Sequence, residues 1–370
     1  MRIAMVNLTA GGLSGGYLTY LASVVPLLRE QPGVTELGVF VPGHASALLE
    51  HGVAGVQVTK RGRRHLASAV AGFRPDVVFV PTARWLCVPD VPSVTMVRNM
   101  ESLTVPFAGN SPVDAARNLG RNLAARQACR RSQRVVAVSD HVRRFLVQRW
   151  HIPEERIGVV HHGVGAPPLP EQRSRPLAMR SRRPFVFTAG SIRPARGLED
   201  LLDALSRLRS RGTDIDLVVA GGSTAGSHRY HRLLRRRAAR TGIGNQVTWT
   251  GPLSTSEMAW CYAACRVFVT TTRAEACPNT ALEAMSHGCV TVSTDVAPMP
   301  EILVDTAVYY RGGDGAALAQ ALERALALDG DARRLRQEAA RRRAADFYWH
   351  DTARRTVAEL RRALDAGANR

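Results

Sequence analysis

The chain has 370 residues, a length that favours two domains over one or three. With 45% apolar and 22% charged residues, its composition is that of a folded globular protein, which excludes a disordered, collagenous or disulfide-scaffold protein. The 50 basic residues against 31 acidic ones leave a net charge of +19, and Lys60 is the only lysine. A field of that sign attracts phosphates, anionic lipid and nucleic acid.

The six cysteines are scattered, with no C-x-x-C pair, which suits a reducing cytosol without disulfides. Cys261 and Cys265 stand one helical turn apart, and we interpret them as packing residues rather than metal ligands. The N-terminus passes directly into a strand-like run, without the apolar region of a signal peptide. Since no apolar stretch is long enough to span a membrane, we expect a cytoplasmic protein, with peripheral contact at the inner face of the membrane left open.

In the first half, short apolar runs alternate with longer segments of helical period, the pattern of βαβ units on a parallel sheet. The runs predict strands at residues 3–8, 37–41, 77–80, 93–97, 134–138 and 157–160, with helices that include 16–29 and 114–131. Residues 163–183 then carry four prolines and no apolar periodicity, which indicates an exposed linker.

After the linker the alternation restarts. It predicts strands at residues 185–189, 217–220, 247–250, 267–271 and 290–293, and helices at 198–211, 228–241, 255–264, 280–287 and 315–327. An aromatic hinge and one more helix end the chain, and we expect this helix to pack outside the second sheet.

The predicted fold class is therefore α/β, with two Rossmann-like doubly wound domains facing each other across a cleft. The expected domains are residues 1–165, joined by a returning helix at 346–366, a linker at 166–183, and residues 184–345. Ligands of doubly wound sheets bind at the carboxyl ends of the strands.

The strongest motif is EACPNTALEAMSHG at residues 275–288, where Pro278, Asn279 and Thr280 open a predicted helix. The free backbone N–H groups of a helix start bind anions such as phosphate. Glu275 precedes the helix and Glu283 lies one turn inside it, so the two carboxylates can accept hydrogen bonds from hydroxyls at different parts of one ligand. The alternatives are a capping box for Thr280 and Glu283, and a solvated loop charge for Glu275.

This motif, with its E-x7-E spacing, closely resembles the signature of glycosyltransferase family 4, retaining enzymes of the GT-B fold. In the first half, residues 135–164 are similar to the segment that closes the acceptor domain of that family. Further similar blocks are TAGSIRPARGLEDLLDAL (188–205), LVVAGG (217–222), VTWTGPLSTSEM (247–258) and VTVSTDVAPMPEIL (290–303).

The resemblance implies that Glu275 meets the hydroxyls of a donor sugar and that Glu283 meets the ribose of its nucleotide. Arg196 falls where the family has a diphosphate-binding lysine, and arginine keeps the charge and adds a bidentate fork. The preceding arginine of the family motif is Ser191 here, and we suggest that Arg193 supplies the missing cation, an exposed loop arginine being the alternative. The other donor-binding candidates are Cys277, Pro278, Asn279 and Thr280.

At the N-terminus, four glycines at residues 11–16 lie between a strand and a helix, but they do not form the G-x-G-x-x-G fingerprint. Their position resembles the glycine loop of the family, with Gly15 and Gly16 as candidates for close approach to the donor. Many family members carry a histidine after the fourth strand. Here Arg98 and Asn99 occupy that region, and we take Asn99 as a catalytic candidate.

Asp214 and Asp216 spell a D-x-D, which elsewhere holds a metal for a nucleotide sugar, but we interpret them as a turn before a strand. The arginine clusters at residues 117–134 and 232–240 lack interleaved aromatics, so we expect solvated helix faces and no specific nucleic acid binding.

The sequence thus predicts a metal-independent retaining glycosyltransferase without a cofactor. A nucleotide sugar is the expected donor, and a lipid-linked glycan, polysaccharide precursor or small natural product the expected acceptor. An epimerase or phosphorylase of the same fold, or an inactive basic protein that binds nucleic acid or membrane, remains an alternative.

Overall fold

The computed structural model of the protein describes residues 1–8, 15–43, 46–50, 52–60, 62–104, 112–168, 183–223 and 225–368. The chain divides into two compact units. The first contains Met1–Val105, Ala116–Gly163 and Phe347–Arg370, and the second contains mainly Val164–Asp346. Most of the predicted linker and most of the N-terminal glycine loop lie outside the described residues.

Within these residues, the first unit is built on a seven-stranded parallel sheet with the strand order β3-β2-β1-β4-β5-β6-β7. Its central strands β4 and β5 are buried at every position, which explains why their sequences are unbroken apolar or small-residue runs. The strands are Arg2–Val6 (β1), Glu36–Pro42 (β2), Val56–Thr59 (β3), Val77–Val80 (β4), Ser93–Val97 (β5), Arg134–Ala137 (β6) and Ile157–Val159 (β7).

The helices of the first unit connect successive strands, except between β4 and β5, where the described chain contains no helix. Ser139 caps the helix that follows β6, because its hydroxyl accepts a hydrogen bond from the N–H of Val142. The helices are Gly15–Arg29 (α1), Ser46–Glu50 (α2), Arg63–Gly72 (α3), Pro112–Arg131 (α4) and Asp140–Trp150 (α5).

The second unit has a six-stranded parallel sheet with the strand order β10-β9-β8-β11-β12-β13 in its described part. The strands are Phe185–Ala189 (β8), Asp216–Ala220 (β9), Val247–Gly251 (β10), Val267–Thr270 (β11), Thr291–Thr294 (β12) and Ala307–Tyr310 (β13). The helices are Leu198–Ser210 (α6), His228–Arg240 (α7), Thr255–Ala264 (α8), Asn279–Ser286 (α9), Met299–Leu303 (α10), Gly315–Leu326 (α11) and Gly330–Ala344 (α12).

Two doubly wound α/β sheets are thereby present, and the predicted fold class is confirmed in this respect. In each sheet the strand order reverses next to the first strand of the unit, β1 or β8. Such a reversal opens a crevice at the carboxyl ends of the neighbouring strands, where ligands of these folds bind.

The last helix, Trp349–Ala368 (α13), packs in the first unit against α1 and against strands β4, β5 and β6. Leu360 is fully buried, and Glu359 pairs with Arg134 at 2.5 Å where both side chains are largely buried. The expectation that the C-terminal helix returns to the N-terminal domain is therefore confirmed.

All six cysteines carry free thiols, and four of them are buried. Cys261 packs in the apolar core between α8 and the sheet. None of the helices in the described ranges is long and apolar enough to cross a membrane.

Candidate active site

The carboxyl ends of β8, β9 and β11 bring together most of the predicted donor-binding residues. The loop after β8 starts at Gly190, whose N–H donates to the carbonyl of Ala220 at the end of β9, at 2.9 Å. Gly190 has a φ of 130°, and a Cβ there would lie 3.1 Å from the guanidinium of Arg196. Glycine therefore leaves the space in which the Arg196 side chain folds back over its own loop.

The backbone around Arg196 is held by the loop that follows β11. The hydroxyl of Thr271 donates to the carbonyl of Arg196 at 2.6 Å, and the N–H of Arg273 donates to the carbonyl of Ala195 at 2.8 Å. Gly197 adopts a left-handed conformation with φ 58°, and a Cβ there would lie 2.5 Å from the carbonyl oxygen of Thr271. The two loops are thus packed too closely for any other residue, and this fixes the direction of Arg196.

Arg196 and Glu275 form an ion pair, with 2.5 Å between Nη1 and Oε1. Their side chains are only 20% and 16% exposed, so the pair is shielded from solvent more than an ordinary surface salt bridge. Both were predicted to bind the donor, and the structure brings them together although 79 residues separate them. This contact excludes the alternative that Glu275 is a solvated loop charge.

Helix α9 begins at Asn279, four residues after Glu275, and its N-cap residue makes no side-chain cap hydrogen bond. Pro278 occupies the N-cap position, and its carbonyl accepts from the N–H groups of Ala281 and Leu282. Pro278 and Cys277 are buried, whereas Asn279 and Thr280 are half-buried at the start of the helix. The uncapped first turn gives this edge of the sheet the positive end of a helix dipole.

Glu283 lies one turn further along α9, and its Oε2 accepts a hydrogen bond of 2.8 Å from the hydroxyl of Tyr262 on α8. The capping box of Thr280 and Glu283 is therefore wrong, because Pro278 rather than Thr280 is the N-cap residue of α9 and the carboxylate has another partner. Burial raises the pKa of Glu283, and the hydrogen bond from Tyr262 opposes that shift. Burial, followed by the proximity of Glu283, raises the pKa of Tyr262 well above its usual value, so the phenol remains a donor.

Tyr262 is a site residue that the sequence analysis missed. It lies 21 residues before Glu283, on a helix whose small and apolar residues predict only core packing. Its ring also contacts Phe187 of β8, with 5.2 Å between ring centroids, so packing against the sheet holds the phenol in place. A polar aromatic residue in a predicted core helix was the one available signal, since a buried phenol needs a hydrogen-bond partner.

Arg193 lies in extended backbone at the start of the turn that ends in Arg196, and it is half-buried. Ser191, at the position of the missing arginine, is half-buried in the same loop. The replacement of that missing cation by Arg193 stays a prediction.

In the first unit, Gly15 and Gly16 are the first two residues of α1, which begins one residue before the predicted helix. Only the expected place of Gly15 is corrected, from the loop to the helix, and a Cβ at Gly15 would have no neighbour within 4 Å. Asn99 follows β5 and is exposed, and its Oδ1 accepts from the N–H of Glu101 at 2.9 Å. Its neighbour Arg98 lies over the ring of Tyr17, 4.2 Å from the centroid. The proposed catalytic role of Asn99 remains a prediction.

The D-x-D residues have local partners. Asp214 pairs with Arg183 at 2.8 Å and accepts from the side chain of Gln246, while Asp216 is the buried first residue of β9. No group of three or more potential metal ligands occurs among the described residues. In the arginine-rich helix α7, Arg237 pairs with Asp203, and the other arginines from 229 to 240 are exposed.

Comparison with known proteins extends over most of the chain. Residues 36–167 match the model of the family described as Glycosyltransferase Family 4, and residues 171–342 match the one described as Glycosyl transferases group 1. A D-inositol 3-phosphate glycosyltransferase from Mycobacterium ulcerans (strain Agy99) is 26% identical over 263 residues, covering 69% of this chain and 55% of that protein. The one from Streptomyces bingchenggensis (strain BCW-1) is 27% identical over 325 residues, covering 83% and 69%. The chain spans little more than half the length of mycobacterial relatives of this kind.

Solved structures show the same fold over nearly the whole chain. Sucrose-phosphate synthase from Thermosynechococcus elongatus has a TM-score of 0.79 at 16% identity, covering 99% of this chain and 100% of that one. Anabaena Alr3699/HepE in complex with UDP-glucose has a TM-score of 0.76 at 18% identity, covering 97% and 99%. The two doubly wound sheets, together with these similarities, identify the GT-B fold. The chain belongs to glycosyltransferase family 4.

Proposed function

We propose that this protein transfers a sugar from a nucleoside diphosphate sugar to an acceptor hydroxyl, with retention of configuration and without a metal ion. The observation that carries the proposal is the convergence of Arg196, Glu275 and Glu283 around the uncapped start of α9, at the carboxyl edge of the second sheet. The likeness to a fold neighbour that was solved with UDP-glucose supports a nucleotide sugar as the donor.

The arrangement divides the donor among three groups. Arg196 and the positive end of α9 stabilise the negative charge of the diphosphate, which grows as the bond to the sugar breaks. Glu275 accepts hydrogen bonds from sugar hydroxyls. Its ion pair with Arg196 fixes the position of the sugar-binding group relative to the diphosphate-binding group. Glu283, aligned by Tyr262, accepts from the ribose hydroxyls.

In the proposed step, the bond between the anomeric carbon and the diphosphate oxygen breaks, and the acceptor oxygen bonds to that carbon on the same face. The acceptor proton passes to the departing phosphate oxygen, so no separate base is required. A cation in a partly buried site stabilises such a leaving group more strongly than in water, because the local dielectric constant is lower.

We propose that the first unit binds the acceptor, with Gly15, Gly16 and Asn99 near the reacting groups. The inositol phosphate relatives suggest a polar, phosphorylated acceptor. A lipid-linked glycan, a polysaccharide precursor and a small natural product remain the proposed acceptor classes. Peripheral contact with an anionic membrane is part of this proposal, because the exposed arginines of α4 lie in the same unit.

The test is to incubate the protein with a panel of nucleotide sugars and acceptors in the presence of a chelator, and to determine the anomeric configuration of the product by NMR. We expect a retained configuration, unaffected by the chelator. Glu275→Gln should slow transfer by roughly a hundredfold, the scale of a lost transition-state contact. Glu338→Gln, at a mostly exposed acid on α12, is the matched control and should leave the rate unchanged.

An inverted product, or activity only with an added divalent cation, would contradict the proposed mechanism. Conversion of the donor into an isomeric sugar nucleotide without acceptor would identify an epimerase instead. Turnover that depends on inorganic phosphate would identify a phosphorylase.

A further inference from the structure

The first unit contains a cavity that the proposed transfer reaction does not use. It has a volume of about 370 Å³, within the usual range of small-molecule sites, and lies between α3, α4 and the segment that follows β4. The connection from β4 to β5 contains no helix in the described structure, which leaves a gap in the helical layer beside α3. The hydroxyl of Thr95 on β5 donates to the carbonyl of Arg84 at 2.8 Å and so anchors the wall of this gap.

Four arginines line the cavity, namely Arg63, Arg64, Arg84 and Arg131, and among the residues described no carboxylate does. Arg63 donates to the carbonyl of Trp85, and Arg131 lies over the indole of Trp85, 4.9 Å from its centroid. Burial lowers the pKa of Arg84, and repulsion from Arg121 and Arg63 lowers it further. The cavity is therefore a concentration of positive charge without an acidic side chain in its described lining.

The placement of Arg63 and Arg64 opposes the ordinary electrostatics of a helix. They are the first two residues of α3, whose first turn holds no acid and whose N-cap, Gly62, offers no side chain. The positive end of a helix dipole favours acids at these positions and disfavours arginines. Helix α6 follows the usual rule, with Glu199 and Asp200 in its first turn. Residues that break a local rule without a structural gain are typical of binding sites.

The rest of the cavity lining is mostly apolar. It is formed by Leu86, by the ring of Trp85, and by the small side chains of Ala67, Ala124 and Ala128, and it also includes Cys87 and one polar side chain, Gln127. We propose that this arginine cavity, defined by its four arginines and Trp85, binds a phosphate ester whose organic part is apolar. The arginines bind the phosphate through charge-assisted hydrogen bonds, and the apolar wall covers the organic part. The source is either a free phosphorylated metabolite or the phosphate of a membrane lipid.

Hexyl phosphate is the probe for this site. Inorganic phosphate and hexanol are the control ligands, because each carries only one of the two groups that the site is proposed to bind. Binding is measured by tryptophan fluorescence of the full chain. The part of the fluorescence change that is absent in the Trp85→Phe variant is assigned to Trp85. We expect a saturable change with hexyl phosphate, and binding at least roughly tenfold weaker for either half alone. This local signal separates the arginine cavity from the proposed donor site in the second unit.

Two variants remove the charge in different ways. Arg84→Gln and Arg64→Glu should each weaken hexyl phosphate binding at least roughly tenfold, the effect of losing one charged hydrogen bond. Arg149→Gln, at an exposed arginine of α5, is the matched control and should bind like the wild type. Arg64→Glu should also raise the midpoint of thermal unfolding, because glutamate is favoured in the first turn of a helix.

A vesicle assay distinguishes the two sources. Cosedimentation with phosphatidylcholine vesicles that contain phosphatidic acid, lost in Arg84→Gln but not in Arg149→Gln, assigns the site to a membrane phosphate. Binding of hexyl phosphate without such cosedimentation assigns it to a free phosphate ester. The proposal is overturned if no hexyl phosphate binds, if Arg84→Gln binds as well as Arg149→Gln, or if Arg64→Glu lowers the unfolding midpoint.

Discussion

The carboxylate of Glu283 is subject to two opposing influences. Burial raises its pKa, and the hydrogen bond from Tyr262 lowers it. The ionised carboxylate is purely an acceptor, so both of its oxygens can accept hydrogen bonds from vicinal hydroxyls, whereas protonation turns one oxygen into a donor. The phenol of Tyr262 therefore preserves the form of Glu283 that the proposed ribose contact requires.

Replacing Tyr262 by phenylalanine should shift the pH dependence of nucleotide binding. Without the donated hydrogen bond, the pKa of Glu283 rises further, so protonation and loss of affinity begin at a higher pH than in the wild type. The measurement is the dissociation constant of the bound nucleoside diphosphate across the acidic and neutral range. Burial lowers the pKa of neighbouring His287, so its ring protonates at a lower pH than an ordinary histidine.

Tyr309→Phe provides the control for this experiment. It removes a phenol of the same unit that donates to the backbone carbonyl of Val304. Its pH profile should match that of the wild type. Identical profiles for Tyr262→Phe and Tyr309→Phe would show that Tyr262 does not act through Glu283.

At the residue scale, the sequence identified which residues form the candidate site and which loops or helices carry them. It did not identify the side chains that they contact. The E-x7-E spacing placed Glu275 and Glu283 on a loop and on the helix after it, as the structure shows. The contacts of Arg196 with Glu275 and of Tyr262 with Glu283 join separate elements, so they depend on how the sheet packs. No local periodicity contains that information.

At the scale of the elements, helix α13 covers part of the sheet of the first unit with buried apolar side chains. Leu360 and Ala363 are fully buried in it, and Val357 is 3% exposed. The hydrophobic stripe on this helix covers strands β4 to β6, and its loss would uncover the centre of the sheet.

Leu360→Ala should lower the free energy of unfolding of the first unit by about 2 to 5 kcal/mol, the usual cost of truncating a buried leucine. Leu335 on α12 is 64% exposed, and Leu335→Ala should cost less than about 0.5 kcal/mol. Urea unfolding monitored by circular dichroism compares the two. Equal destabilisation by the two variants would contradict the packing of α13 described above.

The bounds of buried strands were predicted more accurately than those of exposed elements. Strands Val77–Val80, Ser93–Val97 and Phe185–Ala189 were predicted with their observed bounds, because buried parallel strands are short apolar runs between turn residues. The edge strand β3 was missed because two of its four residues are exposed, which removes the apolar run. Helix α12 was missed because its sequence is dominated by arginine and alanine, without an apolar stripe.

At the scale of the whole molecule, the arginines that produce the net charge of +19 differ in what they do. Many arginines lie on exposed helix faces, where solvent and salt screen them. Arg196 is different, because it is partly buried, paired with Glu275 and fixed between two loops. General attraction of anions belongs to the whole surface, whereas specific binding of a diphosphate is expected only where cations are held in place.

The affinity for nucleoside diphosphates, measured by titration calorimetry, tests the central claim most directly. UDP, GDP and ADP are compared on the wild type, Arg196→Ala, Glu283→Ala and the control Arg149→Ala. We predict that at least one of the three nucleotides binds the wild type and the control equally, and binds the two site variants at least roughly tenfold more weakly. Binding unchanged in both site variants would contradict the assignment of the donor site to the carboxyl edge of the second sheet.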